Sequence, residues 1–319
     1  MDGMVQEKLK NYGFFLIMLE SLKTLSSQRK LFGQLALALL LPFSLIFLIY
    51  VGGFFAVLAN LISNENTFTD KKLYLLLLAN LGIVSILITL SLFWMGAAVY
   101  AVACAYSNKQ ISFGSIIRCV PKIWKRVVVA YLWIRLFALF LGGVMVGLLF
   151  LLSKGWNHMA QYWRVLVVVV IMVLYCVGVV YTVILWGIAS VVSVVEDVHG
   201  LRSIARSKKL VQGKMMVAGV YIVLLGCSIV GIELLEGLLV IPSVLNIGLR
   251  VLLGVVCVAL FVLALLIAPV FQATLYFVCV SYHCQAVDMQ HLSDHLEAYR
   301  GSCLQLAKTS IQMDPLQKL

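Results

Sequence analysis

The stretch Val165–Val195, VLVVVVIMVLYCVGVVYTVILWGIASVVSVV, runs for 31 residues without a Lys, Arg, Asp, Glu or His. Its length separates a membrane span from a buried core helix. The hydrocarbon core of a bilayer is about 30 Å thick, and a helix rising about 1.5 Å per residue crosses it in about 20 residues. Water is absent there, so the chain must satisfy its own backbone N–H and C=O groups, which a helix does within one segment. Working outward, five further windows meet or exceed that length: Leu35 to Leu61, Leu73 to Ala105, Val127 to Leu152, Met215 to Val240 and Val251 to Tyr282. The expected fold is all-α, a polytopic transmembrane helical bundle of six spans. Glu233 and Glu236 interrupt the far end of the fifth window, so five spans is the alternative.

Composition agrees with that reading. The chain's 319 residues are 63% hydrophobic and 12% charged, against about 45–50% and about 25% in soluble domains. No hydrophilic block is large enough for a separate soluble domain. The expected organisation is a cytoplasmic amino-terminal segment with an amphipathic helix over residues 1–34, a six-span membrane domain over 35–282, and a cytoplasmic tail over 283–319. The first apolar run begins near Leu31 and exceeds the 7–15 residues of a signal h-region, so it is expected to stay as a span.

A formal charge of +11 could suit nucleic acid, but the basic residues cluster beside the spans and no nucleic-acid motif accompanies them. Anionic headgroups fit that placement, at about 1 kcal/mol for each nearby Lys or Arg. The side richer in Lys and Arg is normally cytoplasmic. Eighteen lie in the two terminal segments and the second-to-third and fourth-to-fifth connections. Five lie on the other side: Lys71, Lys72, Lys154, Arg164 and Arg250. Both termini are therefore expected in the cytoplasm, with the chain in an endomembrane such as the ER or in the plasma membrane.

Pairing the spans reveals three possible repeats, each a basic amphipathic segment, a span, a short external loop and a returning span. Two returning spans read alike, Phe93-Trp94-Met95-Gly96-Ala97-Ala98 against Leu185-Trp186-Gly187-Ile188-Ala189-Ser190. In the second unit Phe113, Ile116, Ile117, Val120, Ile123, Trp124 and Val127 follow helical spacing, so this segment is expected to lie flat on the membrane. Pro121 lacks the amide hydrogen a helix interior needs and is expected to kink it or begin its second half. Phe15, Met18, Leu19, Leu22 and Leu25 make the stripe of the first unit; Leu201, Ile204, Ala205 and Val211 make a weaker one in the third. The candidate membrane-surface basic residues are Arg118, Lys122, Lys125, Arg126, Arg202, Arg206, Lys208 and Lys209. Either these segments act on lipid or they are elbows that seat the following span.

Chemistry-bearing constellations are sparse. Arg135 lies about 12 Å beyond Val127 and Glu233 about 27 Å beyond Met215, too far apart in depth for an ion pair between straight spans. Arg135 is expected to snorkel toward the inner headgroups and the glutamates to meet water at the outer interface. His291 and His295 stand four apart, but Leu292 occupies the place where a metalloprotease helix carries Glu. The eight cysteines show no C-x-x-C spacing and none falls in an expected external loop, so free thiols are expected. No phosphate loop or nucleophile elbow is present, and no span offers a histidine base for a serine. No enzyme activity, cofactor or metal is expected. Packing signals are clearer: Gly143 and Gly147 form a Gly-xxx-Gly step in the third span, and Ala97, Ala101 and Ala105 a small-residue ridge in the second. Intrachain contact is the expectation, self-association the alternative.

The segment from Glu196 to Lys214 has the pattern Glu196, Gly200, then Ala205-Arg206-Ser207-x-x-Leu210-x-x-Gly213. It resembles a loop of bacterial polytopic families, including the membrane domain attached to some glycerophosphodiester phosphodiesterases. With the tail His291-Leu292-Ser293-Asp294-His295-Leu296-Glu297, the whole chain is similar to a family of uncharacterised plant six-span proteins. The resemblance implies a multi-pass helical fold in a plant endomembrane or plasma membrane. It implies no substrate, and the phosphodiesterase catalytic domain has no counterpart here. The expected role is a non-enzymatic organiser of lipid or partner proteins; the alternative is a carrier for a neutral or lipid-like solute. A polar track of Asn80, Ser85, Thr89, Thr182 or Gln272 across facing helices would favour the carrier.

Overall fold

A computed structural model describes residues 13–63, 70–106, 113–155, 161–196, 198, 200–240 and 246–283. The His291 and His295 pair, Cys284 and Cys303 lie outside them. The described residues form nine α-helices: α1 Phe14–Ser27, α2 Arg29–Leu35, α3 Leu41–Ser63, α4 Asp70–Tyr106, α5 Phe113–Gly155, α6 Gln161–Val195, α7 Leu201–Val211, α8 Met215–Leu235 and α9 Ile247–Tyr282. A π-helical turn over Ala36–Leu40 joins α2 to α3, and another over Glu236–Val240 extends α8. The first precedes Pro42, which has no amide to offer the carbonyl of Ala38, and a widened turn accommodates that loss.

Six stretches are long and apolar enough to cross a membrane: Arg29–Val51, Leu78–Tyr106, Ile123–Leu151, Val165–Val195, Met215–Leu238 and Ile247–Tyr282. The chain is thus an all-α helical bundle with six candidate spans. The fifth continues through Glu233 and Glu236 to Leu238 and is long enough to cross.

The core lies at one end of the bundle, in the three returning spans. Trp94 to Cys104 of α4, nearly all of Ile184 to Val195 of α6, and Pro269 to Val280 of α9 are buried, and the three helices touch one another. Between apolar helices in lipid there is no hydrophobic drive, so close contact of small residues must supply the attraction. Ala97, Ala98 and Ala101 of α4, Ala189 of α6 and Ala273 of α9 are all buried here. The opposite halves of the spans are largely exposed apolar surface, as at Leu139 and Phe140 of α5, Val173 and Leu174 of α6, and Val251 and Leu252 of α9. Hydrocarbon solvates such a surface as well as another helix would.

The contacts follow the three expected units in a cycle. The first segment, α1, packs on the third returning span, α9, with Phe14 6.0 Å from Phe271 by ring centroids. The start of α5 packs on the first returning span, α4, where Phe93 meets Trp124 at 5.3 Å and a Cβ on Gly96 would lie 3.5 Å from Ile123. The third segment, α7, packs on the second returning span, α6. Each segment therefore leans on the returning span of the preceding unit.

Two expectations about those segments are corrected. The second is not a separate flat helix: α5 is one helix of 43 residues that includes Pro121. Ile116, Val120, Ile123 and Val127 are buried against the protein rather than in lipid, while Pro121 sits on the exposed side. In α1 the stripe divides. Phe14, Ile17 and Ser21 face the bundle, whereas Phe15, Leu19 and Leu22 face outward, Phe15 with 83% of its surface exposed.

Candidate functional site

The densest polar contacts lie where α6, α7 and α9 meet at the basic end. Glu196 follows the last residue of α6. Arg206 on α7 donates Nε to its Oε2 at 3.0 Å and Nη2 to its Oε1 at 3.5 Å, and the Tyr276 hydroxyl of α9 donates to Oε1 at 2.7 Å. One carboxylate therefore ties three elements together. The Glu196 and Arg206 side chains are 24% and 34% exposed. Partly shielded, charge-assisted bonds are shorter and stronger than neutral ones, though water still screens this pair. Its main effect is positional: it fixes where α7 lies.

The connection into α7 explains the motif residue by residue. Gly200 has φ +67°, a left-handed conformation that glycine adopts without a Cβ penalty. Ser203 donates its hydroxyl to the Gly200 carbonyl at 2.7 Å and Ser207 to the Ile204 carbonyl at 2.8 Å. With their hydroxyls satisfied within the helix, these serines can face the core. The buried face of α7 is thus Ser203, Ser207, Leu210 and Val211, which corrects the expected stripe: Leu201 and Ala205 are exposed.

The far end of α7 is held by the end of α9. His283 Nε2 donates to the Leu210 carbonyl at 3.1 Å, and Lys214 Nζ lies 5.3 Å over the Tyr282 ring. Gly213 has φ +95°, and a Cβ there would sit 2.5 Å from Tyr282 Cε1. Glycine is required on both counts.

One turn along α9 from Tyr276, Gln272 lies across Gly187 of α6, where a Cβ would approach Gln272 Cδ to 2.8 Å. Gly187, Ala218, Tyr221 and Gln272 border a cavity of about 10 Å³, the size of one water molecule. Among the described residues, Gln272 Oε1 and the Tyr221 hydroxyl are buried without a hydrogen-bond partner. The Tyr221 ring stacks on Phe271 at 3.7 Å.

The remaining expected site residues are distributed as follows. Arg118, Lys125, Arg202, Lys208 and Lys209 are exposed at the basic end, and Arg126 is half-buried. The Lys122 side chain lies outside the described residues. Arg206, expected at the membrane surface, takes part in the clasp with Glu196. Ala97 and Ala101 are buried in the core and Ala105 is half-buried at its edge. Gly143 and Gly147 are exposed, with no described residue within 4 Å of a Cβ built on either, so among the described residues the expected intrachain contact is not made there. Arg135 is exposed, its guanidinium 4.9 Å over the Tyr131 ring. The residues that sequence reasoning passed over are Tyr276, Tyr221 and Gly187. Only the hydroxyl of a tyrosine deep in an apolar run signals Tyr276 and Tyr221.

These features define a multi-span all-α membrane protein with a polar clasp at its basic end. Residues 1–316 match the family described as a domain of unknown function, DUF8558, and the chain belongs to that family. No curated protein and no solved structure matches it.

Proposed function

We propose that the protein is a non-catalytic membrane organiser that gathers anionic lipid, and membrane proteins associated with it, around the basic end of its bundle. The observation that supports this reading is the set of exposed cations Arg118, Lys125, Arg202, Lys208 and Lys209 around the Glu196 clasp. The clasp holds α7 and its Arg202, Lys208 and Lys209 in one place, so those three cations meet a surface without first losing the entropy of a mobile loop. The excess of Lys and Arg at this end faces the cytoplasm. The anionic leaflet of an endomembrane or the plasma membrane then contributes about 1 kcal/mol for each charge near it.

The carrier alternative needs polar groups free to meet a solute. Ser85, Thr89 and Thr182 donate their hydroxyls to carbonyls of their own helices, and Asn80 accepts from Tyr50 at 2.7 Å. Gln272 faces a space the size of one water. Hydroxyls already donated in this way, and a space beside Gln272 too small for a solute, favour the organiser. The plant setting and the phosphodiesterase link are what the motif resemblance implies; the organiser reading needs neither.

The test is charge reversal at Arg118, Lys125, Arg202, Lys208 and Lys209, sparing Arg206, in the full chain reconstituted into vesicles. Energy transfer from the protein to labelled phosphatidylserine measures local enrichment. Wild type should enrich the lipid, less so in 1 M salt, where the Debye length falls to about 3 Å. The variant should insert correctly and lose the enrichment. Enrichment that survives reversal overturns the proposal.

A further inference from the structure

We infer that the groove between α5 and α6 binds one anionic phospholipid, its phosphate on Arg135 and an acyl chain along Leu141 and Val144. A cavity of about 120 Å³ lined by Tyr131, Arg135, Leu141, Thr182 and Trp186 adjoins one of about 150 Å³ lined by Leu141, Val144, Leu148, Tyr175 and Gly178. Leu141 borders both, so the two lie end to end along the helix pair. The second is apolar apart from Tyr175. The first holds a cation.

Arg135 is preset for an anion. Its guanidinium rests on Tyr131 at 4.9 Å, and Tyr131 meets Trp186 edge to face at 5.4 Å. The stack satisfies the face of the guanidinium but none of its five N–H donors. Among the described residues Arg135 makes no hydrogen bond or ion pair. The Thr182 hydroxyl, which also borders this cavity, donates to the Gly178 carbonyl at 2.7 Å. An intramembrane cation with unused donors, beside an apolar track, is complementary to an anionic headgroup carrying hydrocarbon.

Depth fits the same ligand. Arg135 is nine residues beyond Arg126, about 13 Å, and its lean over Tyr131 brings the guanidinium about 6 Å back toward the basic end. A phosphate sunk slightly below its neighbours reaches it. From Leu141 to Leu148 the groove runs about 10 Å further from that end, the direction an acyl chain takes from such a headgroup.

This site deepens the organiser reading only in assigning the lipid to the leaflet at the basic end; it stands without the surface charges. The test is native mass spectrometry of the full chain in detergent, titrated with phosphatidylglycerol or phosphatidylcholine of equal chain length. Wild type should retain one phosphatidylglycerol, favoured about fivefold. Arg135→Gln should erase the preference, and Val144→Trp should weaken retention of both lipids. Both positions are exposed, and an unchanged melting temperature confirms that each variant is folded. Glycerol 3-phosphate should not displace the lipid; displacement would mean a site for soluble phosphate and overturn the inference. So would a preference that persists in Arg135→Gln. Reversal of the five surface charges should leave this one-to-one complex intact, so it can stand or fall apart from the enrichment proposed above.

Discussion

The indole N–H of Trp94 donates to the carbonyl oxygen of Leu265 at 3.2 Å, across 171 residues of sequence. Leu265 stands four residues before Pro269, and an α-helix pairs that carbonyl with the amide of residue 269. Proline has no amide hydrogen. The first returning span thus supplies the hydrogen bond that the third cannot make for itself, at a depth where no water would replace it.

Trp94→Phe should therefore lower stability by about 1–3 kcal/mol, the cost of an unsatisfied buried acceptor plus some lost packing. Pro269→Ala restores the amide, so Trp94→Phe should cost markedly less in that background. Thermal unfolding of the four proteins in detergent measures the coupling. Equal costs in both backgrounds would refute it.

Tyr276→Phe should lower stability by about 0.5–1.5 kcal/mol, and Glu196→Gln should loosen α7 without unfolding the spans. Hydrogen exchange followed by mass spectrometry separates the two effects. Faster exchange confined to residues 201–211 is the expected result for Glu196→Gln. Unchanged protection there would show that the buried Ser203 and Leu210 face, not the carboxylate, holds α7.

Glycine substitutions should rank by surroundings. Gly213→Ala should cost more than about 1 kcal/mol, since it meets both a left-handed φ and the Tyr282 ring. Gly187→Leu should push α6 away from Gln272 and reduce folded yield. Gly143→Leu should leave folded yield unchanged, because no described residue lies within 4 Å of its Cβ position. A loss at Gly143 equal to that at Gly187 would contradict this arrangement.

Single cysteines placed at Arg118 or Lys208 in a cysteine-free chain should react with a membrane-impermeant thiol reagent only from the cytoplasmic side. Labelling of either from outside intact cells would reverse the orientation drawn from the charge count.

Much of this architecture was legible in the sequence because crossing a membrane is a matter of length. Val165–Val195 needs no neighbour to be read as a span, and Ala97 and Ala101 announced a close contact through size alone. The orientation of faces was not legible for the same physical reason. Lipid and protein interior are equally apolar, so periodicity that marks the core face of a soluble helix is silent here, and Gly143 looked like Ala97. Glu196 and Arg206 were visible as a motif, but the third member, Tyr276, lies 80 residues further on and is joined to them only by folding. Ser203 and Ser207 read as polar positions, and their burial depends on hydroxyls turned inward to their own helix.

The cyclic order of contacts has a consequence for how the protein is made. As the ribosome delivers the chain, α5 can settle on an α4 that is already in the membrane, and α7 on an α6 that has just arrived. The first segment packs instead on a span made after it. Its partner, α9, is synthesised after all the other elements described above, so α1 must wait at the surface with Phe14 and Ile17 uncovered until α9 arrives and the ring can close.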